Sequence, residues 1–261
     1  MLPCGRGAEP MNSKIITVTI QKGGTGKTTT AAALIQAAKY KGLRGLAIDL
    51  DPQGNLSLIL AAAMSGTGNS YRLLTGADPS DMIRTTAQGL DVIPASHDLA
   101  VIPTGRGAAR RLEAVLEPLK KRYDVIVIDT PAAGILQYNA LQAATAVVIP
   151  ALADTYNIQS IYQTADTVEQ FRQSNPNISF NGVLVTMFDG RTRHARQMRD
   201  VLKRQAGQME LAYIGEVRRA VAIQEAAAFQ ESLYDYAPRS TAAADYLRAL
   251  ETIIEMEGEH E

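Results

Sequence analysis

One stretch near the amino terminus constrains the fold more than any other. Residues 15–20 form a mostly apolar, β-branched run, which is typical of a buried strand. A glycine-rich turn follows, and an alanine-rich segment at 27–41 predicts a helix. The backbone N–H groups of such a turn can approach phosphates closely, and the helix N-terminus adds positive potential there. The stretch therefore predicts a phosphate-binding loop, in which Lys27 reaches the terminal phosphates and the Thr28 hydroxyl ligates magnesium.

This loop departs from the common phosphate-loop pattern at its start. Gln21 stands where that pattern has Gly, and a second lysine, Lys22, follows it. The sequence resembles the deviant KGGxGK[ST] loop of the ParA/MinD family of ATPases. The resemblance implies ATP and Mg²⁺ as cofactors, catalytic roles for Lys22 and Lys27, and a dimer in which Lys22 reaches the partner's nucleotide. It also implies nucleotide contacts from Gly23, Gly24, Thr25, Gly26, Lys27, Thr28 and Thr29.

Acidic residues follow two further apolar runs, at 45–51 and 123–131. Carboxylates at the carboxyl ends of parallel strands lie where open α/β sheets bind ligands. Asp129 is thereby placed to hold magnesium through a water, opposite Thr28. The DxDPQGN run resembles switch I of ParA proteins, which implies that Asp51 acts in hydrolysis near the attacking water. The run ending in Asp129 resembles Walker B followed by switch II.

The order of the elements predicts an α/β fold. Further strands are expected at 90–94, 146–150, 182–186 and 210–215, and further helices at 106–122, 158–173 and 240–257. We expect a mostly parallel, doubly wound sheet flanked by helices, a P-loop NTPase fold of the deviant Walker A type. We expect one domain over 13–257, with 1–12 as a disordered extension and either Met1 or Met11 as the native start.

Composition limits the range of functions. The formal net charge of −1 excludes a globally basic nucleic-acid binder, so such a role needs a local patch. Cys4 is the only cysteine, which excludes an internal disulfide and a cysteine metal cluster within one chain, and suits a cytoplasmic protein. The uncharged stretch 130–153 is long enough to span a bilayer. Its prolines, glycine and polar residues instead predict a loop, a short helix and a strand.

Residues 191–204 supply a local basic patch of six Lys and Arg against one Asp, a local charge of +5. Helical spacing puts Arg196, Arg199 and Lys203 together, opposite an apolar stripe. A solvated charged face is the alternative, but ParA proteins bind DNA non-specifically through basic residues in their C-terminal part. Residues 216–226 resemble that family's IPRNxxLxEA segment, with Arg218 and Ala220 in place of Pro and Asn. The predicted DNA contacts are Arg191, Arg193, Arg196, Arg199, Lys203, Arg218 and Arg219.

The sequence gives less information about which residue contacts the base of the nucleotide. Thr186 ends the strand predicted at 182–186, a position from which related nucleotide switches contact the base. We therefore expect Thr186 to contact adenine. Asp189 raises the alternative of guanine, which the ParA resemblance outweighs.

The function expected from this resemblance is an ATP-hydrolysing DNA partitioning protein. It would form an ATP-dependent homodimer, bind double-stranded DNA non-specifically, and be stimulated by a ParB-class DNA-binding adaptor. It would be cytoplasmic and nucleoid-associated, without stable membrane binding. A MinD-like membrane-surface ATPase is the first alternative, but residues 251–261 carry five Glu and no Lys or Arg. A metabolic enzyme of the same fold, such as an ATP-dependent amidating enzyme, also remains open.

Overall fold

Eight strands form one sheet at the centre of the computed structural model, which describes residues 13–255. They are β1 (Lys14–Val18), β2 (Gly45–Asp49), β3 (Arg84–Thr85), β4 (Asp91–Ile93), β5 (Val125–Asp129), β6 (Ala146–Leu152), β7 (Phe180–Phe188) and β8 (Ala212–Arg218). Their order across the sheet is β3-β4-β2-β5-β1-β6-β7-β8. All neighbours are parallel except the short β3–β4 pair. The predicted mostly parallel α/β architecture is confirmed.

Helices cover both faces of the sheet. Those within residues 13–255 are α1 (Lys27–Tyr40), α2 (Asn55–Ile59), α3 (Ser70–Leu74), α4 (Pro79–Met82), α5 (Arg111–Leu116), α6 (Ile135–Ala143), α7 (Thr155–Arg172), α8 (Arg193–Gln208), α9 (Val221–Ala228), α10 (Leu233–Tyr236) and α11 (Thr241–Glu255). One face packs against α1 and α9–α11, and the other against α3 and α5–α8. Ile15 and Ile16 on β1 point to opposite cores, so every residue of this strand is buried. That explains the continuous apolar runs in the sequence.

The parallel arrangement brings the residues of the predicted site together at the carboxyl ends of the central strands. β1, β2 and β5 are neighbours, and Asp129 is in register with Val18 on one side and Asp49 on the other. The loop that follows β1 therefore faces the carboxylates that end β2 and β5. Helix α1, which leaves this loop, is packed between the sheet and α11, where its alanines allow close approach.

Two regions bear on the sequence predictions. The helix predicted at 106–122 is instead a 3₁₀ turn at Ala108–Arg110 followed by α5, which ends at Leu116. Pro118 has no N–H to donate to the carbonyl oxygen of Ala114, so the series of helical hydrogen bonds is interrupted there. The stretch 130–153 does divide into a loop, α6 and β6, and within residues 13–255 no helix is long and apolar enough to cross a membrane. The disorder predicted for 1–12 concerns residues outside the described range.

Candidate functional site

The phosphate loop joins β1 to α1 at the carboxyl edge of the sheet. Gly24 and Gly26 have φ angles of +75° and +86°, a left-handed conformation that costs energy for residues with a side chain. No side chain caps α1, so the first N–H groups of this helix are available to an anion. Lys27 donates from Nζ to the carbonyl oxygen of Lys22 at 2.9 Å, which folds its side chain back over the loop. This arrangement can cradle phosphates, with the Lys27 ammonium above them.

Carboxylates from two neighbouring strands face the loop. Asp49 and Asp129 are adjacent in the β2–β5 register, and both are completely buried. Asp49 accepts hydrogen bonds from Ser57 Oγ at 2.7 Å, from Ser57 N at 2.8 Å and from Asp51 N at 3.1 Å. Burial nevertheless raises the pKa of Asp49 to about 6, because desolvation outweighs these hydrogen bonds. Asp49 was not among the predicted site residues, although it lies in the same DxDPQGN run as Asp51.

Of the two buried carboxylates in the site, Asp129 has fewer hydrogen bonds to offset the cost of its burial. Within residues 13–255 neither of its carboxylate oxygens has a hydrogen-bond partner of normal geometry. Burial, and then the charge of Asp49, raise the pKa of Asp129 well above its usual range, while the nearby Thr28 hydroxyl opposes this. Burial also lowers the pKa of Lys27, against the attraction of Asp129 and Asp51. A buried carboxylate without hydrogen bonds is costly unless a cation approaches it.

Magnesium fits this environment. Mg²⁺ prefers oxygen ligands and keeps several waters, which suits the Thr28 hydroxyl and a water-mediated contact to Asp129. No three acidic, histidine or cysteine side chains in the described chain are grouped so that they could hold a metal alone. The remaining ligands would therefore be waters and phosphate oxygens of a nucleotide.

The second loop lysine lies outside the cradle that Lys27 occupies. The Nζ atom of Lys22 is 3.9 Å from Asp154 Oδ1 and 6.0 Å from the ring centroid of Tyr156, which is exposed. Asp154 also caps α7 by accepting a hydrogen bond from Asn157 N at 2.9 Å. Lys22 therefore rests on the start of α7 within its own chain. No motif in the sequence pointed to Asp154 or Tyr156.

A pocket of about 330 Å³ opens beside the loop. Its walls are Gly26 and Thr29, the end of β7, residues 217–224 and Tyr246 of α11. Thr186, for which the sequence predicts a contact with adenine, lies in this wall, and its hydroxyl donates to the Thr25 carbonyl at 2.7 Å. It thus also fixes the phosphate loop. Met187, the next residue, also lines the pocket, although the sequence did not indicate this, and its φ is +52°.

Asp189, which raised the alternative of guanine, does not line this pocket. Both of its carboxylate oxygens accept hydrogen bonds from Arg191 at 2.8 Å. Hydrogen bonding from Arg191 lowers the pKa of Asp189 to about 2. Asp189 is therefore paired with Arg191 and is not part of the wall of this pocket.

Helix α8 carries the predicted basic face. Met198, Leu202 and Ala206 are buried against the sheet, whereas Arg193, Arg196 and Lys203 are exposed. Arg196 donates to the carbonyl oxygens of Gly190 and Arg191, and Lys203 lies over the Tyr213 ring with its ammonium 5.5 Å from the centroid. Neither a carbonyl oxygen nor an aromatic ring carries a formal negative charge, so Arg196 and Lys203 are not neutralised by these contacts.

The remaining predicted DNA contacts have different surroundings. Three are in ion pairs: Arg191 with Asp189, Arg199 with Asp200 and Glu216, and Arg218 with Asp245. Arg199 also lies over the Phe188 ring with its side chain 30% exposed, so it is on the flank of α8 rather than opposite the apolar stripe. Arg219 is exposed, and its backbone N–H donates to Phe188 O.

Comparison with known proteins agrees with the fold and the phosphate loop described above. A family model described as an AAA domain matches residues 13–180. The chain is 37% identical over 244 residues to the sporulation initiation inhibitor protein Soj of Bacillus subtilis (strain 168), covering 90% of this chain and 95% of that protein. It is 33% identical to the chromosome partitioning protein ParA of Caulobacter vibrioides (strain NA1000 / CB15N), over 94% of this chain and 95% of that one.

Solved structures share the fold over nearly the whole chain. Cobyrinic acid a,c-diamide synthase from Mycobacterium smegmatis, with bound ATP analog and magnesium, has a TM-score of 0.81 and 29% identity over 95% of this chain and 97% of that chain. The septum site-determining protein MinD from Pyrococcus horikoshii OT3, complexed with Mg-ADP, has a TM-score of 0.76 at 23% identity, over 94% and 98% of the two chains. By sequence, fold and the build of its phosphate loop, the chain belongs to the ParA/Soj family of partitioning ATPases.

Proposed function

We propose that this ATPase partitions DNA as an ATP-dependent homodimer. Two copies close around two ATP–Mg²⁺ pairs, the dimer binds double-stranded DNA without sequence preference, and hydrolysis releases it. A ParB-class DNA-binding adaptor stimulates turnover, and the protein acts on the nucleoid in the cytoplasm, without stable membrane binding. The observation that carries this proposal is the cationic helix α8, which begins five residues after β7, the strand whose end lines the nucleotide pocket.

The chemistry is attack of water on the γ-phosphate, for which positioning and charge neutralisation supply most of the catalysis. Bound Mg²⁺ supplies positive charge at the phosphate oxygens. Lys27 adds its ammonium from within the cradle, and the Thr28 hydroxyl and, through a water, Asp129 would hold the metal. Asp51 orients the attacking water. Its Oδ1 accepts a hydrogen bond from Gln53 N at 3.0 Å and its own N–H donates to buried Asp49, so the turn that carries it is fixed at both ends.

Lys22 acts across the dimer in this proposal. Its contacts with Asp154 and Tyr156 are long and partly exposed, and such ion pairs contribute little in water. A triphosphate on a facing subunit offers Lys22 a much stronger electrostatic partner. When Lys22 leaves Asp154 and binds that phosphate instead, ATP occupancy becomes linked to dimerisation.

The DNA surface consists of the predicted contacts that are exposed and have no carboxylate partner within the described residues, namely Arg193, Arg196, Lys203 and Arg219. Cations of this kind contact phosphates rather than base edges, which gives affinity without sequence preference. Two copies in a dimer turn weak single contacts into usable binding. Arg191 and Arg199 contribute less, because carboxylates of their own chain already pair with them.

DNA retention in the presence of a non-hydrolysed ATP analogue tests this function. Each phosphate contact adds about 0.9 to the slope of log affinity against log salt, so removing two per protomer should lower the slope by about 3.6 per dimer. We therefore expect Arg196→Ala with Lys203→Ala to weaken binding to any duplex and flatten its salt dependence. Arg199→Ala is the matched control and should change the slope less. Retention of DNA by the double variant with the wild-type slope would refute the assignment of this surface.

A further inference from the structure

A buried carboxylate on α11 holds Arg218, the last residue of β8 and the first of two adjacent arginines. The side chain of Asp245 is 1% exposed. Its Oδ1 accepts from Arg218 Nη2 at 2.7 Å, and its Oδ2 accepts from Arg218 Nε at 2.8 Å and from the Arg218 backbone N–H at 3.0 Å. Arg248 pairs with the same Oδ1. A bidentate arginine–carboxylate pair of this kind fixes the plane of the guanidinium group.

Arg218 lies in the wall of the pocket beside the phosphate loop. It lines that pocket together with Arg219, Ala220 and Tyr246, and Tyr246 directly follows Asp245 on α11. The related family segment has Pro and Asn where this chain has Arg218 and Ala220, so the Arg218 charge in this wall is a feature of this sequence. An amide that could read a base edge is absent at position 220, and a fixed cation stands two residues before it.

The next arginine is placed differently. Both arginines are exposed and line the pocket, but within residues 13–255 the Arg219 side chain makes no ion pair of the kind that holds Arg218. Asp189 contributes only a longer-range attraction, since Arg191 occupies both of its oxygens. Of these two neighbouring arginines in the pocket wall, Arg218 therefore has its guanidinium fixed and its charge balanced by Asp245, whereas Arg219 has no such carboxylate within the described residues.

We propose that Arg218, held by Asp245, binds the base of the nucleotide, while only Arg219 of the pair contacts DNA. The planar guanidinium can stack on a purine, and its remaining Nη1 group donates to an acceptor nitrogen of the ring. The DNA half of this proposal rests on the proposed function, whereas the nucleotide half does not.

Nucleotide affinity tests the assignment of Arg218. Dissociation constants are measured by titration calorimetry for ATP and for inorganic triphosphate, which lacks the base. Arg218→Ala should weaken ATP about tenfold, roughly the effect of one lost charged contact, and leave triphosphate unchanged. Arg218→Lys should restore little, because an ammonium cannot form the bidentate pair. Arg239→Ala, which removes an exposed arginine outside the pocket lining, is the matched control and should bind both ligands as wild type does.

Folding does not obscure this test, since Arg248 still pairs with Asp245 when Arg218 is truncated. The circular dichroism melting curve of each variant checks that point. Unchanged ATP affinity in Arg218→Ala would overturn the assignment. An equal loss of ATP and triphosphate affinity would also overturn it, because the residue would then act on the phosphates.

DNA retention separates the two arginines. With a non-hydrolysed ATP analogue at saturating concentration, Arg218→Ala should retain duplex DNA as wild type does, and Arg219→Ala should lose retention several-fold. An equal loss in both variants would overturn the division of roles. Failure of the wild type to retain DNA would overturn the DNA half together with the proposed function, and the calorimetric result for Arg218 would still stand.

Discussion

The buried carboxylates at the ends of β2 and β5 make the stability of the nucleotide-free protein depend on pH. Burial raises the pKa of Asp49 to about 6, and burial and the charge of Asp49 raise that of Asp129 well above its usual range. In the unfolded chain both groups titrate near pH 4. Between about pH 4 and pH 6 the folded protein therefore binds more protons than the unfolded chain. The contribution of these groups to the free energy of unfolding falls as pH rises through that window.

The substitution Asp49→Asn removes the titration of Asp49 together with the repulsion by which its charge raises the pKa of Asp129. A pKa raised from 3.8 to about 6 corresponds to about 3 kcal/mol of unfolding free energy lost above pH 6, at about 1.4 kcal/mol per pH unit. This figure is an upper value, because relaxation of the site reduces the cost of the charge. Asparagine still accepts a hydrogen bond from Ser57 N, and any change in that contact is independent of pH. The variant should therefore gain stability relative to wild type as pH rises, by up to about 3 kcal/mol.

Urea unfolding of the nucleotide-free protein between about pH 4 and about pH 7.5 measures this difference. Asp189→Asn is the control, since Arg191 lowers the pKa of that exposed carboxyl to about 2 and its contribution is lost only at lower pH. Addition of Mg²⁺ with an ATP analogue should remove most of the pH dependence, because a cation favours the ionised carboxylates. A constant difference in unfolding free energy between wild type and Asp49→Asn across this range would refute the reasoning.

Three further substitutions test individual residues of the site. Lys22→Ala should abolish ATP-dependent dimerisation while the monomer keeps some nucleotide affinity, and a normal ATP-induced dimer by light scattering would contradict its role across the interface. Asp51→Ala should slow single-turnover hydrolysis strongly yet leave an ATP-bound dimer on DNA, so hydrolysis at the wild-type rate would reject a role in orienting water. Thr186→Val removes the hydrogen bond to the Thr25 carbonyl and should lower the free energy of unfolding by about 1 kcal/mol and weaken ATP binding. Unchanged urea unfolding and calorimetry would show that this contact does not support the loop.

The sheet could be predicted because its central strands are buried on both faces. Apart from Lys14 at the start of β1 and Asp129 at the end of β5, the side chains of these strands are apolar or, at Thr17, hydrogen-bonded internally, so both strands are continuous runs in the sequence. The stretch 56–89 gave no comparable pattern. Its helices α2, α3 and α4 have only four or five residues and depend on packing against the sheet rather than on a periodic face of their own.

For the site, too, residues in one continuous segment could be predicted from the sequence, whereas pairings between distant residues could not. Lys27 and Thr28 belong to one continuous loop, so spacing alone indicates their chemistry. The contact between Asp49 and Asp129 depends on strand register, and the pairing of Arg218 with Asp245 depends on how α11 packs beside β8. The charge of +5 over 191–204 illustrates the limit, because it includes Arg199, which pairs with Glu216 on β8. Helical spacing shows which cations share a face, but tertiary contacts decide which of them keep an unbalanced charge for DNA.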